Sequence, residues 1–280
     1  MGSSSEGNSF YIELYRKGYP NPFKLLIECG FEYKLLQTKL LDRGISINDL
    51  NAILITHEHQ DHSKAIVSLF KKGKKIYAPQ TVFDKYGLGD VIEKKYVITE
   101  KKEKGIADGI TVLGMPLDHE NDDGSLTYNL GYIITINKEY RILFVTDTKH
   151  IRWNLKEYQF NLIFIEANNL QRVLHFAIKR AKEKREIGKV IHFNRVLKSH
   201  MLVEKTALTL LDFDLSKCDL IILIHLSSNT LANPFEFKKV IEKKLKDYGR
   251  FRKVRIKKNG KSKVVIKPQI RIANKHGSIQ

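Results

Sequence analysis

The sequence predicts an α/β protein, and two features indicate this fold class. Short apolar runs rich in Val, Ile and Leu, which are typical of strands, alternate along the chain with stretches of helical periodicity. The chain of 280 residues is long enough to bury one large core. We therefore expect a single α/β domain.

Each predicted element rests on its local pattern. Strands are expected where the apolar runs lie, at Phe10–Leu14, Leu25–Glu28, Ala52–Thr56, Lys75–Ala78, Ile110–Leu113, Leu130–Ile136, Arg141–Thr146, Asn161–Ile165 and Leu220–Ile224. Helices are expected at Glu32–Asp42, His62–Lys71, Leu170–Lys184, Leu202–Asp212 and Pro234–Lys246. Asp61 and Ser63 are expected to cap the second of these helices, because short polar side chains accept hydrogen bonds from a helix start.

The segment from Thr56 to His62 carries the strongest functional signal. It reads Thr-His-Glu-His-Gln-Asp-His and directly follows the apolar run Ala52–Ile55. Imidazole suits zinc, iron or manganese, and a neighbouring carboxylate allows a second, harder ion to bind nearby. The alternative is a polar loop that is merely rich in His. The pattern favours a metal site with four ligands, His57, His59, Asp61 and His62.

Three more ligand-type residues stand at the ends of later strand-like runs. His119 follows Met115–Leu117, Asp147 ends Ile142–Thr146, and His225 ends Leu220–Ile224. A single His beside an apolar run is usually a core residue. Three such residues in order behind the His-rich segment are better explained as further ligands of a two-ion site.

Six motifs in this order resemble those of the metallo-β-lactamase-fold hydrolases, and most closely the YycJ-like branch, which is related to tRNase Z. They are Gly2–Asn8, Leu25–Gly30, Thr146–Thr148, Glu166–Asn169, Arg195–Met201 and Ile224–Asn229. Relatives commonly have Asp at the position of Glu28 and His at that of Asn169. They also have a strand before the Gly-Ser segment, so the first strand is expected to be missing or shortened.

The resemblance implies an αββα sandwich of two mixed sheets with outer helices. It also implies two divalent ions, Zn²⁺ or Mn²⁺, and it distributes the seven ligands. His57, His59 and His119 would hold one ion, and Asp61, His62 and His225 the other. Asp147 would bridge them, and a hydroxide shared by the ions would attack phosphorus while the ions neutralise charge on the phosphate. Carboxylates in these places resemble the phosphodiesterase branches, since classical two-zinc β-lactamases carry Cys at the bridge-like position.

Asp61 and His200 are the expected catalytic residues. His200 resembles the His of tRNase Z-like enzymes that lies near the metals without coordinating them, where it could protonate the leaving oxygen or hold the scissile phosphate. The alternative is a hydrogen bond from His200 to Asp61 that orients this carboxylate. Substrate contacts are expected from residues of the family motifs, Ser5, Asn8, Glu166, Asn168 and Ser227.

Charge is the second informative feature. The formal net charge is +18, from 49 Lys and Arg against 31 Asp and Glu. The stretch 250–280 contains no acidic residue. In it, Val254–Ile256 and Val264–Ile266 flank Asn259-Gly260, the pattern of a β-hairpin. We predict a hydrolase domain over 1–249 and a basic extension over 250–280 that contacts a polyanion. The alternative is a solvated lysine-rich tail.

The compartment is predicted from absences. Cys29 and Cys218 are too few for a disulfide framework and fit a reducing environment. No apolar run reaches the roughly 18 residues of a membrane span, and no signal peptide is visible at the start. The sequence therefore predicts a soluble cytoplasmic protein without a membrane partner.

These features together predict a two-metal phosphodiesterase, most simply an exonuclease-like enzyme acting on DNA or RNA. One alternative is a cyclic-nucleotide phosphodiesterase of the phage anti-defence type, which the same metal site would serve. Another is a catalytically inactive nucleic-acid-binding relative, which the complete ligand set disfavours. The basic tail favours a polymeric substrate. A homodimer, in which a tail reaches the neighbouring subunit's site, is left open.

Overall fold

The computed structural model describes residues 2–4, 7–120, 124–227, 233–258 and 261–273. Two mixed sheets stack face to face, and helices pack on the outer face of each. This arrangement is the predicted αββα sandwich, so the predicted fold class is confirmed.

The smaller sheet has the strand order β1-β2-β3-β4-β5. Its strands are β1 (Gly2–Ser4), β2 (Gly7–Leu14), β3 (Phe23–Ile27), β4 (Ala52–Leu54) and β5 (Ile76–Tyr77). The first two pairs are antiparallel and the last two are parallel. The helices of this half are α1 (Tyr33–Leu41), α2 (Gln60–Ser63), α3 (Ile66–Lys71) and α4 (Gln80–Lys85).

The larger sheet has the strand order β14-β11-β10-β9-β8-β7-β6. Its strands are β6 (Glu103–Ala107), β7 (Ile110–Glu120), β8 (Leu126–Ile136), β9 (Tyr140–Val145), β10 (Leu162–Glu166), β11 (Leu220–Ile224) and β14 (Gln269–Ile272). Strands β6 to β9 pair antiparallel, whereas β9, β10, β11 and β14 are parallel. The helices of this half are α5 (Gln171–Glu183), α6 (Ile187–Ser199), α7 (Val203–Leu211) and α8 (Pro234–Asp247).

The central strands are apolar on both faces because each face meets another layer. In β9, Leu143 and Val145 pack toward the helices, whereas Ile142 and Phe144 pack between the sheets. The ring of Phe10 from the smaller sheet lies 5.3 Å from that of Phe144, edge to face. Burial on both faces explains why these strands read as continuous apolar runs rather than as alternating patterns.

The helix predicted over His62–Lys71 is divided into α2 and α3. The N–H of Ala65 donates to the carbonyl of Cys29 at 3.0 Å, which interrupts the helical hydrogen bonds at that point. The predicted caps are also wrong, since α2 has no side-chain cap. The Ser63 hydroxyl donates to the carbonyls of Glu58 and His59, so it stabilises the His-rich segment instead of capping a helix.

Several elements were not predicted from the sequence. Strands β1, β6 and β14 and helices α4 and α6 all lie outside the predicted ranges. The Gly-Ser segment, before which the family's first strand was expected to be missing or shortened, itself forms β1, a three-residue strand paired with β2. Helix α6 was missed because its apolar residues do not form a buried stripe, and Ile187 and Ile191 are exposed.

The basic C-terminal stretch contains the expected hairpin strands. Strands β12 (Arg252–Lys258) and β13 (Lys261–Lys267) pair antiparallel, while Asn259-Gly260 lies outside the described residues. Strand β14 then pairs with β11 and buries Ile270 and Ile272. The predicted boundary at residue 249 therefore does not separate the whole stretch from the domain, because its end completes the larger sheet.

The two cysteines are free and buried, Cys29 in the smaller-sheet half and Cys218 in the larger-sheet half. Within the described ranges, no helix has the length and apolar character needed to cross a bilayer. The cytoplasmic location stays a prediction.

Candidate metal centre

The seven predicted ligands meet at one edge of the sandwich. Strands β9, β10 and β11 run parallel, so their carboxyl ends lie at the same edge of the larger sheet. Asp147 follows β9 and His225 follows β11, each with a positive φ, 51° and 53°. Non-glycine residues rarely adopt this backbone conformation, and the backbone strain that it causes is often found at functional sites. The turn at Asp147 is held by Asn129, whose amide donates to the carbonyls of Thr146 and Asp147.

The smaller sheet contributes the His-rich segment, which follows one of its parallel strands. His57 and the residues after it follow β4, which runs parallel to β3. His119 differs from the expectation of a loop residue, because β7 continues through it to Glu120. Its position in the strand still brings its ring within 5.0 Å of the ring of His57 and 4.8 Å of that of His59.

The ligand atoms form adjoining groups, in each of which all atoms lie within 4.8 Å of one another. Four groups occur among the described residues: His57, His59 and His119; Asp61, His62 and His225; His57, His62 and Asp147; and Asp147, Glu166, His200 and His225. Asp147 connects the first two groups, because it shares a group with His57, and its Oδ2 lies 3.1 Å from His62 Nε2 and its Oδ1 3.3 Å from His225 Nε2. This is the distribution that the family resemblance implies, and the assignment of each residue to an ion stays a proposal.

The donor chemistry fits divalent cations. The buried atoms His57 Nε2 and His119 Nδ1 have no hydrogen-bond partner among the described residues. An unpaired buried imidazole nitrogen costs free energy, which a bound cation offsets. Nitrogen and oxygen donors without a thiolate suit zinc, manganese or iron, and neither cysteine belongs to a ligand group.

Two imidazoles of the first group are neutral near pH 7. Burial lowers the pKa of His57 well below its ordinary value, and His62 and His119 lower it further. Burial likewise lowers the pKa of His119 to about 4. A neutral imidazole is the form that coordinates a metal, so these two residues need not release a proton before they bind one.

The second group is a network of opposite charges. Burial acts to raise the pKa of Asp147, but His225 and His62 outweigh burial and hold that pKa well below its ordinary value. Burial acts to lower the pKa of His225, but Asp147, Asp61 and Glu166 raise it to about 10. In this half of the site, the positive charge of protonated imidazoles neutralises the negative charge of the carboxylates in the absence of a cation.

Glu166 supports the site through contacts with the imidazoles of His200 and His225. This fully buried carboxylate contacts two imidazoles through Oε1, His200 Nδ1 at 2.7 Å and His225 Nδ1 at 3.0 Å. The N–H groups of Thr148 and Met201 donate to its other oxygen. Because its oxygens are occupied by these groups, Glu166 is better placed to support the ligands than to make the predicted contact with substrate.

His200 lies beside the ligands and remains partly accessible. About 14 % of its side chain is exposed, and its ring stacks 5.2 Å from that of His225. Its bond to Glu166 replaces the expected alternative of a bond to Asp61, which is therefore wrong. Holding Nδ1 fixes the ring orientation and leaves Nε2 as the nitrogen that can exchange a proton.

Two of the other predicted substrate contacts, Asn8 and Asn168, also support ligands. Asn8 Nδ2 lies 3.3 Å from Asp61 Oδ2 and 3.1 Å from His62 Nε2. The Asn168 amide donates to the carbonyl of His225 at 3.1 Å, and both Asn side chains are buried. Ser227 is half-buried beside Asn168, to whose carbonyl its N–H donates. Ser5 lies outside the described residues.

Three supporting residues were not predicted. Glu28 Oε1 lies 3.4 Å from His62 Nδ1, the Thr56 hydroxyl 2.9 Å from His57 Nδ1, and the Thr146 hydroxyl donates to Asp147 Oδ2. Both threonines directly precede a ligand at the end of an apolar run. That signal was available, but threonine in such a place reads equally well as a strand residue.

Gly30 packs so closely against the His-rich segment, at Asp61 and His62, that a side chain cannot fit. A Cβ at this position would lie 1.6 Å from the carbonyl oxygen of Asp61 and 2.8 Å from the amide nitrogen of His62. Gly30→Ala should therefore displace the segment, lower the metal content and destabilise the fold by about 1–3 kcal/mol, the usual effect of overpacking. Elemental analysis and a thermal melt measure both effects. Gly188→Ala is the matched control, since no atom lies within 4 Å of its added Cβ. Normal metal content in Gly30→Ala would contradict this account of the segment.

Comparison with known proteins identifies the family. Residues 24–226 match the profile of the beta-lactamase superfamily domain. A 79-residue segment is 40 % identical to exodeoxyribonuclease WalJ of Streptococcus pneumoniae, and it covers 28 % of this chain and 27 % of that protein. The chain thus spans about a quarter of the WalJ length in this match. Over 233 residues the chain is 24 % identical to exodeoxyribonuclease YycJ of Bacillus anthracis, covering 81 % of both.

The fold comparison agrees. The metallo-beta-lactamase fold protein YhfI from Bacillus subtilis superposes with a TM-score of 0.59 at 14 % identity, covering 97 % of both chains. These similarities confirm the resemblance to the YycJ-like branch that the motifs indicated. Because the matching profile spans most of the sequence and both halves of the metal centre, this chain belongs to the beta-lactamase superfamily domain family.

Proposed function

We propose that this chain is a two-metal phosphodiesterase that removes nucleotides from the ends of DNA. The observation that carries the proposal is the pairing of His200 with Glu166 directly beside the ligand cluster. It adds a positioned proton donor to a site built for cations, and the two together suit cleavage of a phosphodiester.

Two divalent cations, Zn²⁺ or Mn²⁺, would be held by the seven predicted ligands and would activate water and neutralise phosphate charge. The chain's own groups then have separate tasks. His57, His59 and His119 supply imidazole nitrogens to one side of the site, and Asp147 lies in one group with His57 from that side and His62 from the other. Glu28 and Glu166 hold the imidazoles of His62 and His225 in the orientation needed for binding.

His200 is proposed to deliver a proton to the departing oxygen of the cleaved ester. Its Nδ1 is held by Glu166, so the ring keeps one orientation while Nε2 gains and loses the proton. A leaving alkoxide of a sugar is a strong base, so protonation at this point lowers the barrier. Asp61, the other predicted catalytic residue, is better placed as a ligand, since its carboxylate contacts His62 and Asn8.

DNA is proposed as the substrate because both named relatives are exodeoxyribonucleases. The net charge of +18 favours a polyanion, since each phosphate contact releases counterions. Inactivity is disfavoured because the complete ligand set and its supporting carboxylates lie together in one cluster.

The test is a side-by-side assay of metal-loaded protein on end-labelled DNA, end-labelled RNA and cyclic mononucleotides. We expect close to two metal ions per chain, stepwise release of nucleotides from DNA ends, and loss of this activity when a chelator removes the metal. Hydrolysis of cyclic nucleotides alone would replace the proposal with the second predicted function. Full metal content without any hydrolysis would indicate an inactive relative.

A further inference from the structure

The basic hairpin formed by β12 and β13 lies at the end of the larger sheet opposite the metal centre. Arg252 and Lys267, at its base, lie 3.0 and 3.9 Å from Asp219, which directly precedes β11. The ligand His225 directly follows the same strand. The six residue-to-residue steps from Asp219 to His225, at about 3.3 Å each, therefore separate the hairpin base from the metal centre by about 20 Å.

A groove of about 810 Å³ lies beside the hairpin base, between helix α8 and strand β14. Its cationic side includes Lys243, Lys246 and Arg271, which are exposed and form no ion pair with the described acidic residues. Its apolar lining includes Phe251 and Ile266. Together these residues give the groove both positive charge and an apolar surface.

One carboxylate belongs to the groove as well. Glu242 lies 3.9 Å from Lys238, so its charge is offset by a neighbouring cation within the same lining. Above the groove, the strands of the hairpin carry eight Lys and Arg and no acidic residue. The surface is therefore positive over the groove and over the hairpin that borders it.

This combination fits a single-stranded polynucleotide. Lysine and arginine pair with phosphates, while an aromatic and apolar surface accepts unstacked bases. A small anion would use the cations but leave the apolar lining in contact with water. A duplex keeps its bases stacked inside and offers the lining nothing to contact.

We propose that this groove is a second binding site for single-stranded DNA, which holds the strand at a distance from the metal centre. The inference rests on the proposed function, because the end of the same strand would occupy the metal centre. Stacked nucleotides advance by about 3.4 Å each, so a stacked strand needs about six nucleotides to span the gap of about 20 Å, and a more extended strand needs fewer. Shorter strands reach only one of the two sites.

The experiment compares two triple variants of the full chain. The groove variant is Lys243→Glu, Lys246→Glu and Arg271→Glu. The control variant changes the same number of charges on the outer helices of the smaller sheet, with Lys34→Glu, Lys71→Glu and Lys72→Glu. Substitution tests the charges of the groove alone. Truncation near Tyr248 would also remove β14 and with it the buried side chains of Ile270 and Ile272.

Binding is measured by fluorescence anisotropy with phosphorothioate-ended oligothymidylates of increasing length, from three to 24 nucleotides. For the native chain and the control, affinity should rise about tenfold or more once the strand is long enough to span both sites, which takes about six nucleotides when stacked. The groove variant should lose this rise. Its dependence of log affinity on log salt should become shallower by about two, from three lost phosphate contacts at about 0.7 each.

Hydrolysis completes the test. The groove variant should show a raised KM on the longest strand, with unchanged turnover on the shortest. The same length dependence in the groove and control variants, or an equal loss at three nucleotides, would overturn the proposal. If no variant hydrolyses DNA while binding still depends on length and on the groove, the groove stands and the nuclease proposal fails.

Discussion

Asp147→Ala should remove at least one metal ion per chain and lower hydrolysis by about 10⁴-fold or more, a modest part of the acceleration that enzymes supply. The reason is the position of its carboxylate, which shares one ligand group with His57 from the first half of the site and His62 from the second. Oδ2 lies 3.1 Å from His62 Nε2, and Oδ1 lies 3.3 Å from His225 Nε2. Alanine supplies neither oxygen, so the two halves of the site lose their shared anion.

Elemental analysis of the purified variant measures the metal, and the DNA assay measures the activity. Asp118→Ala is the matched control. Asp118 is next to the ligand His119, but its carboxylate binds His150 and Arg152 outside the ligand groups. A thermal melt establishes that Asp147→Ala is folded, and Asp147→Asn, which keeps the shape, replaces it if it is not. A folded variant with unchanged metal content would refute the assignment of Asp147.

His200→Ala should keep its metals and lose about 10²- to 10⁴-fold in activity on DNA, the usual contribution of general acid–base catalysis. His200 is held by Glu166 and is not among the proposed ligands, so its removal leaves the cation donors in place. The loss should shrink on a nitrophenyl phosphodiester, whose leaving group departs without a proton. This comparison of substrates separates proton transfer from a purely structural role.

The control for His200 is His175→Ala, which removes an exposed imidazole from α5. It should retain full activity on both substrates. An equal loss for His200→Ala on DNA and on the nitrophenyl ester would show that the residue positions the substrate instead of protonating it. Loss of a metal ion from His200→Ala would make it a ligand and contradict the proposed role.

The ligands could be predicted because their signals are local. His57, His59 and His62 lie on one short segment, and no packing argument explains three imidazoles so close in sequence. Asp147 and His225 each end an apolar run, and strands buried on both faces are the runs that periodicity identifies best. These two facts were sufficient to predict that the candidate ligands cluster and, with the motif order, to predict the fold.

The roles of supporting residues depended on contacts between distant parts of the chain. Glu166 was placed among substrate contacts because it belongs to a motif at the end of a strand. Only the fold shows that it meets His200 and His225, 34 and 59 residues away. A carboxylate has the same local appearance whether it faces a substrate or an imidazole, so the sequence cannot separate the two.

The sequence by itself indicated the family, the candidate metal ligands and the basic hairpin, because each leaves short motifs of residues that are adjacent in the sequence. The tertiary structure alone decided where that hairpin lies. Strand β14 pairs in parallel with β11, which puts the hairpin base beside Asp219 and the metal ligand His225 at the other end of the same strand. Strand pairing between residues about 50 positions apart depends on which edge of the sheet is free. No local pattern in Gln269–Ile272 encodes that choice.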